Sequence, residues 1–206
     1  MLELMIASTI GLIATTGVIS LFVYTLKNNS DTLKEIRLHQ ELRAIMDVIS
    51  RDIRRAGYWR HADGIRENPF GKINVSDDGS CITYSYDMNP SQGPKLGNED
   101  NFGMRLSKNA VKLRTNSSTC DSTKYWQTIS SDDSVKISKL NFLLTTRCSN
   151  ISSDTRHCQN AETNDVLSKL HGVEITLSGE LYDDSSVALT LNEHVMIRNI
   201  ESSLQP

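Results

Sequence analysis

Leu4-Met-Ile-Ala-Ser-Thr-Ile-Gly-Leu-Ile-Ala-Thr-Thr-Gly-Val-Ile-Ser-Leu-Phe-Val-Tyr-Thr-Leu26 carries no charged residue. At about 1.5 Å of rise per residue, a helix over this run extends roughly 34 Å, enough to cross a hydrocarbon core about 30 Å thick. No proline or glycine interrupts the chain between Leu26 and Gly57, and the pattern turns amphipathic. Leu38, Leu42, Ile45, Ile49, Ile53 and Ala56 recur at spacings of three and four, with Glu35, Arg37, Glu41, Asp47, Arg51 and Arg54 on the other faces. Gly57 is placed to stop the helix, and Arg54 and Arg55 to favour the negative end of its dipole. One long helix over residues 3–57 is therefore expected, with a lipid-facing half (1–26) and a half with one apolar stripe (27–57). The run is too long for a cleavable secretory signal, and Lys27-Asn-Asn-Ser offers no small-residue exit site. An uncharged run of this length is also long for a buried core helix.

The 206-residue chain minus a membrane helix leaves one globular domain, residues 58–206. Its net charge of −3 and its 6% aromatic content argue against nucleic acid as the main partner. The mean hydropathy of −0.35 averages an apolar N-terminus with a Ser/Asn/Asp-rich remainder. Cys81, Cys120, Cys148 and Cys158 all lie in that remainder, and an even count there points to an oxidising compartment and two disulfides. Of three possible connectivities, Cys81–Cys120 with Cys148–Cys158 is favoured, because the second pair closes the short polar loop Ser149 to His157. Zinc, with His157 as a further ligand, is the competing reading; the absence of any C-x-x-C spacing weighs against it. By the positive-inside rule, Lys27 and Lys34 would draw the polar domain to the cytoplasm, against the cysteines. A basic leader upstream of Met1 reconciles the two.

Leu2-Glu3-Leu4-Met5-Ile6-Ala7, followed by the apolar run, resembles the mature N-terminus of type IV pilins and pseudopilins. Arg51-Asp52-Ile53-Arg54-Arg55-Ala56-Gly57-Tyr58 resembles the end of the first helix of PilW-type minor pilins, and Val195-Met196-Ile197-Arg198-Asn199 is similar to their final strand. The resemblance implies that Glu3 is the family's registration glutamate, meeting the free N-terminal amine of a neighbouring subunit. It also implies that the mature first residue lies upstream of Met1, which stands where the family has Leu, and that prepilin peptidase acts only on an upstream leader. Ser20 stands near the family's helix-breaking proline, so no proline kink carries over; Gly11 and Gly17 can still soften the helix. Ala7, Gly11 and Thr15 have the small-x-x-x-small spacing of close helix contacts, which with Gly17 are the expected filament-core packing positions.

Beyond the helix, Tyr58 and Trp59 are expected to pack its end onto the domain, and 58–79 holds turns at Gly64, Asn68, Pro69 and Gly71. Strands are expected at Cys81–Tyr86, Met104–Leu106, Ala110–Thr115, Tyr125–Ile129 and Val135–Thr146, with Val135, Ile137, Leu140 and Phe142 inward. A long loop joins Asp87 to Gly103, with Pro90, Gly93, Pro94 and Gly97 in it. Gly172–Leu181 and Ser186–Leu191 read as a hairpin about Asp183-Asp184, and His194–Ile200 closes the sheet. Together they make an α+β, type IV pilin-like fold with an antiparallel sheet on the helix's stripe. The pairs Asp77-Asp78, Asp132-Asp133 and Asp183-Asp184 read as solvated turns, and no nucleophile elbow, phosphate loop or spaced Ca²⁺ loop is present. No catalytic residue, metal or cofactor is expected.

The resemblance implies a structural minor pilin that primes a type IV pilus and sits near its tip. Its expected partners are other minor pilins, the major pilin, an inner-membrane assembly platform and a tip adhesin. Adhesion and twitching motility are the roles implied for such a filament. It would be a single-pass inner-membrane protein with a periplasmic head before assembly and a cell-surface subunit after it. Two other readings stand beside it: a type II secretion pseudopilin, and a membrane-anchored binding domain that never polymerises.

Overall fold

The computed structural model describes residues 2–60, 68–89, 95–114, 116, 119–131, 134–152, 158, 165–199 and, by backbone alone, 201–204. Of the positions read above, Met1, Gly64, Pro90, Gly93, Pro94, Thr115, Asp132, Asp133, His157 and Ile200 lie outside the described residues.

Helix α1 (Leu2–Ile53) runs unbroken through Gly11, Gly17 and Ser20. Residues 2–33 are exposed, and burial then follows the stripe: Leu38, Leu42, Ile45, Ile49, Ile53 and Ala56 are all inside, joined by Met46. Each fully buried Leu or Ile on this stripe contributes on the order of 2 kcal/mol. The last turn tightens, with Arg55 N–H bonding Asp52 O (3.0 Å) and Ala56 N–H bonding Ile53 O (3.0 Å). Gly57 then takes φ +73°, a left-handed turn that a side chain disfavours.

The remainder forms two antiparallel sheets where a single one was expected. The first is a meander of β1 (Ile73–Val75), β2 (Cys81–Ser85), β3 (Asn101–Ser107), β4 (Ala110–Arg114) and β5 (Trp126–Thr128). The second contains β6 (Val135–Asn150), β7 (Val166–Leu181), β8 (Ala188–Met196) and β9 (Glu201–Leu204). In it β7 is central, with β6 along one edge and β8 and then β9 along the other. The segment expected to close the sheet is thus divided: His194–Met196 ends β8, and the chain returns as β9. β6 continues past Thr146 to Asn150, where it has lost its alternation. On β6 the stretch past Leu144 is Thr145-Thr146-Arg147-Cys148-Ser149-Asn150, which offers no apolar alternation, while the facing end of β7 keeps Leu167 buried.

Register sets the inner face of the second sheet. Ile137 pairs with Gly179, Leu140 with Leu177, Phe142 with Ile175 and Leu144 with Val173, while Val173 and Leu177 also pair with Val195 and Leu191. Val135, Ile137, Leu140 and Phe142 all point inward as expected. Gly179 lets the helix approach: a Cβ there would stand 2.9 Å from Leu42 Cδ2. The opposite face is polar, with Thr176 bonded to Asn192 and Ser178 to Thr190. The meander sheet adds Ile82, Tyr84, Met104 and Val111 to the same core. Its turns bond the free edge of β6, Phe142 N–H to Gly79 O (2.8 Å) and Ile137 N–H to Asn109 O (2.9 Å).

Candidate functional site

The apolar half of α1 stands clear of the head. Leu4, Ile10, Ile13, Val18, Leu21 and Phe22 are among its exposed side chains, and none of its most apolar window is buried. By length and composition it is compatible with crossing a membrane. Seven of its polar residues would burden such a segment, and six of them satisfy themselves. Thr9 donates to Met5 O, Thr15 to Gly11 O, Thr16 to Leu12 O, Ser20 to Thr16 O and Thr25 to Leu21 O, each one turn back, and Ser8 bonds Met5 O. Within a membrane, where no water is available, the hydroxyl protons would thereby already have acceptors.

The seventh is Glu3, which lies in the first turn, where the positive end of the helix dipole favours a carboxylate. Ala7, Gly11 and Thr15 follow it at intervals of four, a slowly winding stripe of small side chains below the acid. Gly17 lies on another face. A Cβ at Gly11 or Gly17 would meet no atom of this chain, so nothing within the fold itself demands glycine there. Tertiary contacts bring none of these residues together; the helix alone aligns them.

The junction between helix and head is tightly bonded. Asn199 Nδ2 donates to Ala56 O (2.8 Å) and Arg55 O (3.4 Å), and Asn68 Nδ2 to Gly57 O (2.7 Å), so side chains cap the helix's last carbonyls. Asp52 accepts the Tyr84 hydroxyl (2.5 Å) and the Tyr86 hydroxyl (3.0 Å) from the meander sheet. Burial first, and the Asp52 charge next, push both phenols well above their ordinary range. Arg55 stacks over the Tyr86 ring at 4.3 Å. Trp59 packs inward as expected, whereas Tyr58 stays 42% exposed.

At the other end of the head, Lys34 Nζ reaches Asp184 Oδ2 at 2.7 Å. Asp184 is therefore not the simple solvated turn expected of Asp183-Asp184. Lys34, with Ser186, lowers its carboxyl to about 2. Asp78 does behave as a self-contained turn, held to about 2 by bonds from Ser76 and Ser80.

The cysteines form Cys81–Cys120 and Cys148–Cys158, which leaves no free thiol for a metal. Arg105 donates to Cys120 O and stacks over Trp126, fixing the segment ahead of β5.

Residues 31–197 match the family model PpdB, prepilin peptidase-dependent protein B. No curated protein and no solved structure matches the chain. The matched span takes in the amphipathic half of α1 and the strands through β8, and it excludes Glu3 and the apolar run.

Proposed function

This chain belongs to the prepilin peptidase-dependent protein B family, and we propose that it is a PilW-type minor pilin, which primes assembly of a type IV pilus and is incorporated near its tip. The observation that carries the reading is the helix. Its apolar half touches nothing in the head, carries Glu3 in its first turn and has its hydroxyls satisfied internally. Such a half needs lipid or other apolar helices as its surroundings. It is single-pass in the inner membrane with the head in the periplasm, where the two disulfides persist. On assembly its side chains exchange lipid for neighbouring helices along Ala7, Gly11, Thr15 and Gly17, so extraction never exposes them to water. Glu3 registers the subunit by pairing with a neighbour's N-terminal amine, since an unpaired carboxylate in an apolar filament core is costly. The family match over the head and the N-terminal signature occupy different residues, so they support the reading independently.

The test is piliation in a strain lacking the gene, complemented with wild type or Glu3→Ala, each carrying the native upstream leader. Pili are expected to vanish on deletion and return with wild type. Glu3→Ala should not restore them, although the protein reaches the membrane in normal amount. Normal pili in every strain would overturn the proposal and leave the helix as an anchor or as part of a secretion system.

A further inference from the structure

Arg51, Arg54, Arg55, Tyr58, Arg198 and Asn199 line an open cleft of about 430 Å³ where α1 ends against the segment after β8. Arginines at a helix C-terminus ordinarily serve the dipole and its free carbonyls. Here those carbonyls are already taken, since Asn199 bonds Arg55 O and Ala56 O and Asn68 bonds Gly57 O. Arg54 has one ion-pair partner, Glu193, at 3.3 Å, and Arg55 lies 3.9 Å from Asp52, which is itself held by two tyrosines. Among the described residues Arg51 bonds the Asp47 carbonyl oxygen of its own helix (3.2 Å). Neither Arg51 nor Arg198 is ion-paired among the described residues. Two guanidinium forks thus face one cleft with donors to spare, beside the neutral donors of Tyr58 and Asn199.

We propose that this cleft is a carboxylate-docking site for a short acidic segment of a neighbouring protein subunit in the same filament, an assignment of partner that rests on the minor-pilin reading. Planar guanidinium groups match carboxylates through paired hydrogen bonds. The basic cluster is local: up the helix from the cleft the signs alternate, with Asp47 3.9 Å from Arg43 and Glu41 and Glu35 flanking Arg37, and the chain as a whole is at −3. An extended polyanion such as nucleic acid finds no continuous basic track beyond the cleft, whereas one or two carboxylates need none. Lipid headgroups are out of reach, since Arg54 lies about 40 Å along the helix from the end of the apolar run.

The test uses the full chain in detergent micelles and fluorescence anisotropy with labelled oligoglutamate and oligothymidylate as probes. Oligoglutamate is expected to bind wild type, to weaken with added salt, and to bind the Arg51→Ala/Arg198→Ala variant about tenfold more weakly. Lys27→Ala should bind as wild type does, and an unchanged melting curve certifies that the double variant is folded. Equal binding by wild type and the double variant, or tighter binding of oligothymidylate, overturns the proposal. This arm needs no filament, so it holds or fails separately from the Glu3→Ala test. In cells, Arg51→Glu/Arg198→Glu should remain in the membrane and lose incorporation into pili; normal incorporation would overturn the filament partner.

Discussion

Asp52 shows how much one residue can join. It stands in the run Arg51–Tyr58 at the end of the helix, and its carboxylate accepts two phenols, Tyr84 of β2 and Tyr86 just after it, which are 1% and 2% exposed. Asp52→Ala leaves both hydroxyls without this acceptor in the core, at an expected cost of about 1–3 kcal/mol in urea unfolding of the full chain in detergent. A loss near zero would mean that other acceptors take over. The phenols also carry a pH dependence. Both are raised above 10 in the folded protein, so the unfolded chain loses these protons first as pH rises. Their contribution is complete below pH 10 and declines above it, so the unfolding midpoint should drop between about pH 9 and about pH 11. A flat midpoint there would contradict the burial of Tyr84. The Lys34–Asp184 pair acts at the acid end. With Asp184 lowered from 3.8 to about 2, its contribution is present above pH 3.8 and lost as pH falls toward 2. Lys34→Ala should return the Asp184 carboxyl toward its ordinary range in an NMR titration, with the bonds from Ser186 retaining part of the shift.

At the scale of elements, the helix was legible because both of its halves write a pattern: an uncharged run that touches nothing in the head, then a stripe with spacings of three and four that packs on it. Glu3, Ala7, Gly11 and Thr15 lie on that one helix, which alone fixes their spacing. The sheets were less legible. β6 alternates only where a face meets the core, and its own residues beyond Leu144 are polar on both sides. β1 and β9 are too short to show a period. The arginine cleft was illegible because Arg198 lies far from Arg51 in sequence and reaches it only when Asn199 caps the helix. Gly179 was hidden likewise, its reason being the approach of Leu42 across the sheet. A methyl there would crowd Leu42 Cδ2 at 2.9 Å, Val135 Cγ1 at 3.2 Å and Lys136 O at 3.3 Å. Gly179→Ala is expected to cost about 1–3 kcal/mol by the same urea assay. Gly11→Ala is its counterpart: the site is open, so the isolated helix should gain up to about 1 kcal/mol. If the stripe packs a filament core, that variant should incorporate into pili less well than wild type while its monomer is unharmed.

Taken whole, the molecule is an apolar helix that depends on its surroundings and a head that must be stable by itself. Each disulfide constrains a different part of that head. Cys81 is a buried residue of β2, and its bond to Cys120 closes a loop of 39 residues that contains β3, β4 and the turn between them. Cys148–Cys158 closes only 10 residues at the far end of β6. If the bonds act mainly by restricting the unfolded chain, the longer loop stabilises by roughly 4 kcal/mol and the shorter by roughly 2.5 kcal/mol. Geometry widens the gap, because losing the first bond also frees the segment that Arg105 holds against Trp126. Cys81→Ser/Cys120→Ser should therefore lower the unfolding free energy of the full chain more than Cys148→Ser/Cys158→Ser does. The second variant should keep the helix junction intact, with Tyr84 and Tyr86 still resisting ionisation. Equal losses, or a larger one at the far end of β6, would show that this end packs into the cooperative core and that the head does not divide its stability in this way.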